Sequence, residues 1–212
     1  MEIRKWHNEK LIQRTLKSLA SNFFDAEVFS NRDSLVDKVL SHVKSGMKIG
    51  FGGSLTVRDL GIIERLKNED VLVLDHWKPG LSKDEISGIR FRQLTSDLFI
   101  SSANAITEKG EIVNVDGSGN RTNSITYGPK KVIIIAGYNK IVPDINTALE
   151  RVKNVAAPMN AKRLNLPLPC AETGHCHDCK SETRMCRIIS IIQRKPIATD
   201  ISVYLINEEL GL

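Results

Sequence analysis

Met47-Lys48-Ile49-Gly50-Phe51-Gly52-Gly53-Ser54-Leu55-Thr56 is the stretch that decides the fold. An apolar extended segment runs into two glycines, and a hydroxyl residue then stands where a helix would begin. That order predicts a strand, a tight turn and a helix start. Such a turn leaves backbone N–H groups without partners, so it suits a phosphate or a carboxylate. Ser54 and Thr56 add hydroxyl donors to the backbone offered by Gly52 and Gly53. The stretch is neither a Walker loop nor a G-x-G-x-x-G fingerprint, and its plain alternative is a capped βα turn.

The same alternation continues on both sides. Upstream, Ile3, Trp6, Ile12, Leu16 and Leu19 recur at helical spacing, and Ala26–Phe29 reads as a short strand. Asn31 can cap a helix that buries Leu35, Val36, Val39, Leu40 and Val43 and ends at Gly46. Downstream, the helix opened at Ser54 or Thr56 should reach about Lys67, and Val71–Leu74 reads as a strand covered on both faces. Ser82-Lys83-Asp84-Glu85 is a capping box for a helix through Gln93. Leu98–Ser101 is a strand, and Lys109-Gly110 turns a hairpin between Ala105–Thr107 and Glu111–Val115. Lys131–Ala136 is another buried strand, followed by a helix over Asp144–Val155 that Pro158 breaks. Ile188–Gln193 and Ile201–Ile206 read as two closing strands. The sum is an open, mostly parallel α/β sheet with an antiparallel portion at the hairpin. The expected organisation is an α/β domain over 1–165, a cysteine-rich metal-binding segment over 166–187, and closing strands of the same domain over 188–212.

Composition sets the outer limits. The chain has 212 residues, of which 41% are hydrophobic and 26% charged, a globular balance that excludes wholesale disorder. The aliphatic run Val132–Ala136 is far short of the roughly 20 apolar residues a membrane span needs. No apolar leader follows Met1, so a cytoplasmic protein without a membrane partner is expected. Thirty basic against 25 acidic residues give a net charge of +5, scattered in runs no longer than two. Aromatics make up only 5% and do not interleave with a basic stripe, which argues against nucleic acid. A small anionic organic molecule is the better partner, and a homo-oligomer is compatible with the surface.

All four cysteines fall in one short segment, Cys170, Cys176, Cys179 and Cys186, spaced C-x5-C-x2-C-x6-C. Soft thiolates gathered by local chain suit zinc or an iron–sulfur cluster, and a reducing compartment disfavours disulfides. Structural zinc prefers paired C-x2-C knuckles, whereas uneven contiguous spacing can wrap a larger group. A [4Fe–4S] cluster is therefore the first expectation, and zinc the alternative. Gly174 can supply unusual dihedrals within the loop, and His175 or His177 could replace a cysteine. Otherwise both histidines face solvent.

A second glycine loop, Asp116-Gly117-Ser118-Gly119-Asn120-Arg121, also follows a strand. Gly117 and Gly119 let backbone approach a ligand, Ser118 and Asn120 offer hydrogen bonds, and Arg121 could fork onto a carboxylate. Ligands of open α/β sheets sit beyond the carboxyl ends of the strands, so the two loops should share a crevice. Glu108 is the candidate proton acceptor there, against the plain reading of an exposed hairpin residue. His76-Trp77 can border the crevice or simply pack a loop. His7 and His42 should face solvent on helices, and Tyr127 and Tyr138 should pack at strand ends.

Residues 97–142 resemble the LUD (lactate-utilisation) domain family. The likeness rests on Ala105–Gly110, on Asp116–Arg121, on the apolar strand before Ile141-Val142-Pro143, and on the earlier turn Gly52–Thr56. It extends over about residues 5–165. It implies a fold similar to sugar-phosphate isomerases and coenzyme A transferases, with Gly53, Ser54, Thr56, Gly117–Arg121 and Glu108 around one anion-holding cleft. It also implies work beside lactate oxidation and iron–sulfur subunits. The cysteine segment resembles that of a LUD subgroup rather than the minimal domain, so the redox centre would belong to this chain and pass electrons to a partner protein. The competing expectation is an isomerase- or transferase-like enzyme with Glu108 as base and a structural zinc.

Overall fold

The computed structural model describes residues 2–212. In chain order the elements are α1 (Glu2–Ser21), β1 (Asp25–Phe29), α2 (Arg32–Leu40), β2 (Lys48–Phe51), α3 (Leu55–Asp59), α4 (Ile62–Leu66) and β3 (Leu72–Leu74). There follow α5 (Lys83–Gln93), β4 (Leu98–Ser102), β5 (Ala105–Thr107), β6 (Ile112–Asp116), α6 (Asn120–Thr126), β7 (Lys131–Gly137) and β8 (Ile141–Val142). The last are α7 (Ile145–Arg151), α8 (Ala157–Arg163), α9 (Pro169–Thr173), β9 (Ile188–Ile192) and β10 (Asp200–Ile206). Among the described residues no helix is long and apolar enough to cross a membrane.

The main sheet has six strands in the order β1-β10-β7-β4-β2-β3, and every neighbouring pair is parallel. A second sheet, β8-β5-β6-β9, holds the hairpin, with β5–β6 and β6–β9 antiparallel and β5–β8 parallel. The fold is thus the expected mostly parallel α/β type, with its antiparallel part gathered into a separate sheet. The chain beyond the cysteines does more than close an edge: β10 is an interior strand of the main sheet, between β1 and β7.

Strand periodicity divides the core. Along β7, Ile133 and Ile135 face one cluster with Leu35, Val39, Ile62 and Leu66, while Val132, Ile134 and Ala136 face the other with Ile12, Leu19 and Ile106. Both faces are buried, which is why this strand reads as a continuous apolar run. On β10, the wholly buried Tyr204 meets His42 Nε2 at 2.8 Å through its hydroxyl, and burial pushes its pKa up to about 12. His42 therefore anchors a core tyrosine instead of facing solvent.

Local differences have local causes. The helix after Asn31 stops at Leu40, and the remaining residues to Gly46 form turns. Gly61, at φ +66°, splits the next helix into α3 and α4. β3 sits at the sheet edge, and its first residue Leu72 stays 42% exposed while Leu74 is buried. Pro158 does not break its helix: Val152–Ala156 widens into a π turn, and the ring then lies in the first turn of α8, where its missing N–H costs nothing. Tyr127 is 74% exposed, so it does not pack. Cys170 lies in the one-turn α9, within a segment expected to hold no regular element.

Replacing Ile134 by Ala should lower unfolding stability by about 2–5 kcal/mol, because the residue is fully buried at the middle of the central strand. Urea unfolding of the two proteins checks it, with an unchanged dependence on denaturant concentration expected.

Candidate functional site

Because the main strands are parallel, their carboxyl ends share one edge, and a cleft of about 280 Å³ opens there. Its size suits a small molecule, since drug-sized ligands occupy roughly 300–1,000 Å³. Both glycine loops border it: Gly52, Gly53, Ser54 and Thr56 after β2, and Gly117, Ser118, Asn120 and Arg121 after β6. Gly52 has no substitute, because a Cβ there would stand 2.5 Å from Ser101 Oγ and 3.0 Å from Arg121 Cγ. Gly119 stays outside the lining and begins α6 at φ +82°, so the second loop is a helix start and not a mobile turn. The helix-terminus contribution is small after Gly53, since α3 has five residues and Ser54 Oγ already accepts from Val57 N–H.

Side-chain charge contributes more. Arg121, expected to grip a ligand, holds the loops instead. It pairs with Asp116 at 2.7 Å, and its Nη2 also donates to Asn104 Oδ1 and to the Val115 carbonyl, both at 2.9 Å. Three further cations border the cleft, Arg90, Arg163 and Lys140. Among the described residues none of the three has a carboxylate within ion-pair distance. Arg90 Nε is buried without a hydrogen-bond partner. Arg163 lies 4.5 Å from the Trp77 ring centre, and Trp77 in turn packs against Gly53.

Lys140 was not legible as a site residue in the sequence. It ends the single 3-10 turn Tyr138–Lys140 after β7, is 4% exposed, and its Nζ donates to Thr56 Oγ1 and Ser102 Oγ at 2.9 Å each. Burial, helped by the nearby Arg151 and Arg121 charges, pulls its pKa down to about 7. Its only sequence signal was its place just past a buried strand. His76 is also buried, and burial with the neighbouring Arg90 lowers its pKa to about 4, so it stays neutral. Its Nδ1 meets Gln93 Nε2 at 3.0 Å.

Glu108 is not part of this constellation. Its carboxylate pairs with Arg14 of α1 at 2.9 Å, away from the residues that line the cleft. The hairpin carries it to the helix side of the second sheet, so the expectation of a proton acceptor there is withdrawn.

Cys170, Cys176, Cys179 and Cys186 are free and partly buried, and all four border one recess together with Leu168, Lys153 and Arg184. Burial, then the proximity of the other three thiols, raises the Cys170 pKa. Arg184 shapes the loop by donating to the Cys179 carbonyl at 2.8 Å and to the Cys186 carbonyl at 3.0 Å, and it pairs with Asp178. Asp178 N–H points at Cys176 Sγ, 3.3 Å away. Gly174 adopts φ +79° and caps α9, as its position in the loop suggested. His177 borders the recess and bonds Thr173 Oγ1, whereas His175 lies outside the lining. Among the described residues no three Cys, His, Asp or Glu side chains stand close enough to hold a single metal ion. The recess and the cleft adjoin: Ala157, Met185 and Cys186 border both.

No curated protein matches the chain. Among solved structures, a DUF162 family protein from Deinococcus radiodurans superposes with a TM-score of 0.54 at 12% identity, covering 94% of this chain and 98% of that one. That likeness is one of fold. Ribose 5-phosphate isomerase from Plasmodium falciparum aligns over 53% of this chain and 52% of its own, at 21% identity and a TM-score of 0.34. The LUD domain model matches residues 12–206, which reaches beyond the expected 5–165 and takes in the cysteine segment and both later strands. With nearly the whole chain inside that match, and both glycine loops on one cleft, this protein belongs to the LUD domain family.

Proposed function

We propose that this protein is an iron–sulfur redox protein that takes a small organic acid in its cationic cleft, beside a [4Fe–4S] cluster held by Cys170, Cys176, Cys179 and Cys186. The observation that carries the reading is the shared wall, in which Cys186 borders both the cleft and the cysteine recess. Such a cluster, when bound, supplies one-electron exchange at a potential tuned by its ligands and surroundings.

Four soft donors around one recess fit that group. Four thiolates also suit zinc, but the single C-x2-C flanked by cysteines five and six residues away favours the larger group. Lys153 and Arg184 place two cations beside the sulfurs and offset their negative charge. The Asp178 N–H already provides one hydrogen bond to sulfur.

The chain's own residues prepare the substrate. Arg90 and Arg163 attract and orient a carboxylate, because neither spends its charge on a protein acid. Arg121 and Asp116 form a neutral brace that fixes the second loop. Lys140, between Thr56 and Ser102, can hold or release a proton at the cleft floor. Oxidation of a hydroxy acid to an oxo acid releases two electrons and two protons; because exchange through a [4Fe–4S] cluster is one electron at a time, a redox partner protein would have to accept them in two steps. The isomerase- or transferase-like alternative loses its base with Glu108 paired to Arg14.

Protein purified without oxygen should be brown, contain iron and sulfide, and lose its visible absorption with dithionite. A colourless protein with one equivalent of zinc overturns the redox reading. Cys179→Ser should lose the colour while keeping its circular dichroism. Arg163→Gln should weaken binding of lactate or pyruvate about tenfold in calorimetry, the loss expected for one charged hydrogen bond. Iron content should stay unchanged in that variant.

A further inference from the structure

The geometry points to Lys140 as a carbonyl-capturing amine, which forms an imine with a 2-oxo acid held in the cleft. This rests on the anion-binding half of the reading above and not on its cluster half. Three observations carry it. The buried Lys140 lines a cleft whose other unbalanced cations, Arg90 and Arg163, suit the carboxylate of such an acid. No carboxylate pairs with Nζ, and its two contacts are the hydroxyls of Thr56 and Ser102. Those hydroxyls are themselves proton donors and acceptors, placed where imine formation must move protons.

The charged neighbours agree. Arg151 from α7 and Arg121 from α6 disfavour the ammonium, while Asp59 at the end of α3 favours it weakly. Burial is the larger cause and acts in the same direction as the two arginines, so the pKa is pulled down to about 7. Exposed lysines titrate near 10.4, so at neutral pH the free-amine fraction of Lys140 exceeds theirs roughly a thousandfold. A buried, partly neutral amine is the form of lysine that attacks carbonyls.

The step balances within the site. The Nζ lone pair forms a C–N bond to the carbonyl carbon, and one of the two Nζ protons moves to the carbonyl oxygen, which becomes a hydroxyl. The second Nζ proton then moves to that hydroxyl, the C–O bond breaks and water leaves, giving the neutral imine. Ser102 and Thr56 can carry the protons, and no oxidant or reductant is consumed. A hydroxy acid has no ketone carbonyl and cannot enter this step, so the imine would distinguish the oxo acid from its reduced partner in the same cleft.

The test is reductive trapping of the purified holoprotein with pyruvate and sodium cyanoborohydride, read by peptide mass mapping. One reduced adduct is expected at Lys140, at least about tenfold above any exposed lysine. Its formation should rise as pH is raised through about 7, and it should be absent with lactate. Lys140→Arg should give no adduct in the peptide that carries it. Pyruvate protection of the wild-type amine from acetic anhydride provides a second readout that needs no variant. No adduct at Lys140, or adducts spread evenly over surface lysines, overturns the inference. Pyruvate binding by calorimetry separates the two failures: binding without an adduct sinks the imine alone, and no binding sinks the anion cleft as well. Both measurements are made on protein of equal iron content.

Discussion

In the main sheet every hydrogen-bonded neighbour is parallel, and that single constraint sets where chemistry can happen. Parallel strands deliver all their carboxyl ends to one edge. Gly52 after β2, Ala103 after β4 and Lys140 after β7 therefore meet, although they are far apart in the chain. The constraint holds only while β7 and β10 stay buried on both faces, since each strand feeds both core clusters with alternate side chains. The site is thus a by-product of two-sided burial. Its glycines are the places where helix, strand and turn come too close for a side chain, as Gly52 does against Ser101.

Charge in the cleft is divided between groups that brace and groups that remain available. Arg121 and Asp116 cancel, and their pairing is only 14% and 8% exposed, so it acts as a strut. His76 is neutral at physiological pH because burial and Arg90 both oppose its protonation. What remains is a positive field from Arg90 and Arg163 with no protein acid beside them. Lys140 answers to other neighbours: burial first, then the charges of Arg151 and Arg121, weaken its ammonium. The cations that would draw an anion in and the burial that brings the amine near neutrality thus come from different residues of one cleft.

Much of this was legible in the sequence because it is local. The capping box at Ser82–Glu85, the Asn31 cap, the hairpin at Lys109-Gly110 and the strand Lys131–Ala136 each declare themselves within a few residues. The two glycine loops were placed on one crevice by the rule for strand ends. The failures share a cause, which is distance in sequence. Glu108 meets Arg14 across 94 positions, and Lys140 meets Thr56 across 84, so no window of sequence contains either pair. Pro158 misled for a different reason: a widened turn absorbs the ring that would break a regular helix.

The cysteine segment is bound to the cleft more tightly than to the core. Arg187 N–H donates to the Asp116 carbonyl at 2.9 Å, and Met185 packs 3.2 Å from where a Cβ on Gly117 would lie. Yet α9 buries no residue, and all four cysteines are only partly covered. Hydrophobic burial therefore contributes little to ordering this stretch, and Arg184 holds it mainly through carbonyl oxygens and an exposed aspartate. On the proposed reading, ligation by four thiolates supplies the missing ordering free energy, as it does for small metal-bound modules. The second glycine loop would then inherit its position partly from the metal centre. Occupancy of the recess and the shape of the anion cleft would be linked through Gly117, Met185 and Cys186, so each would strengthen the other.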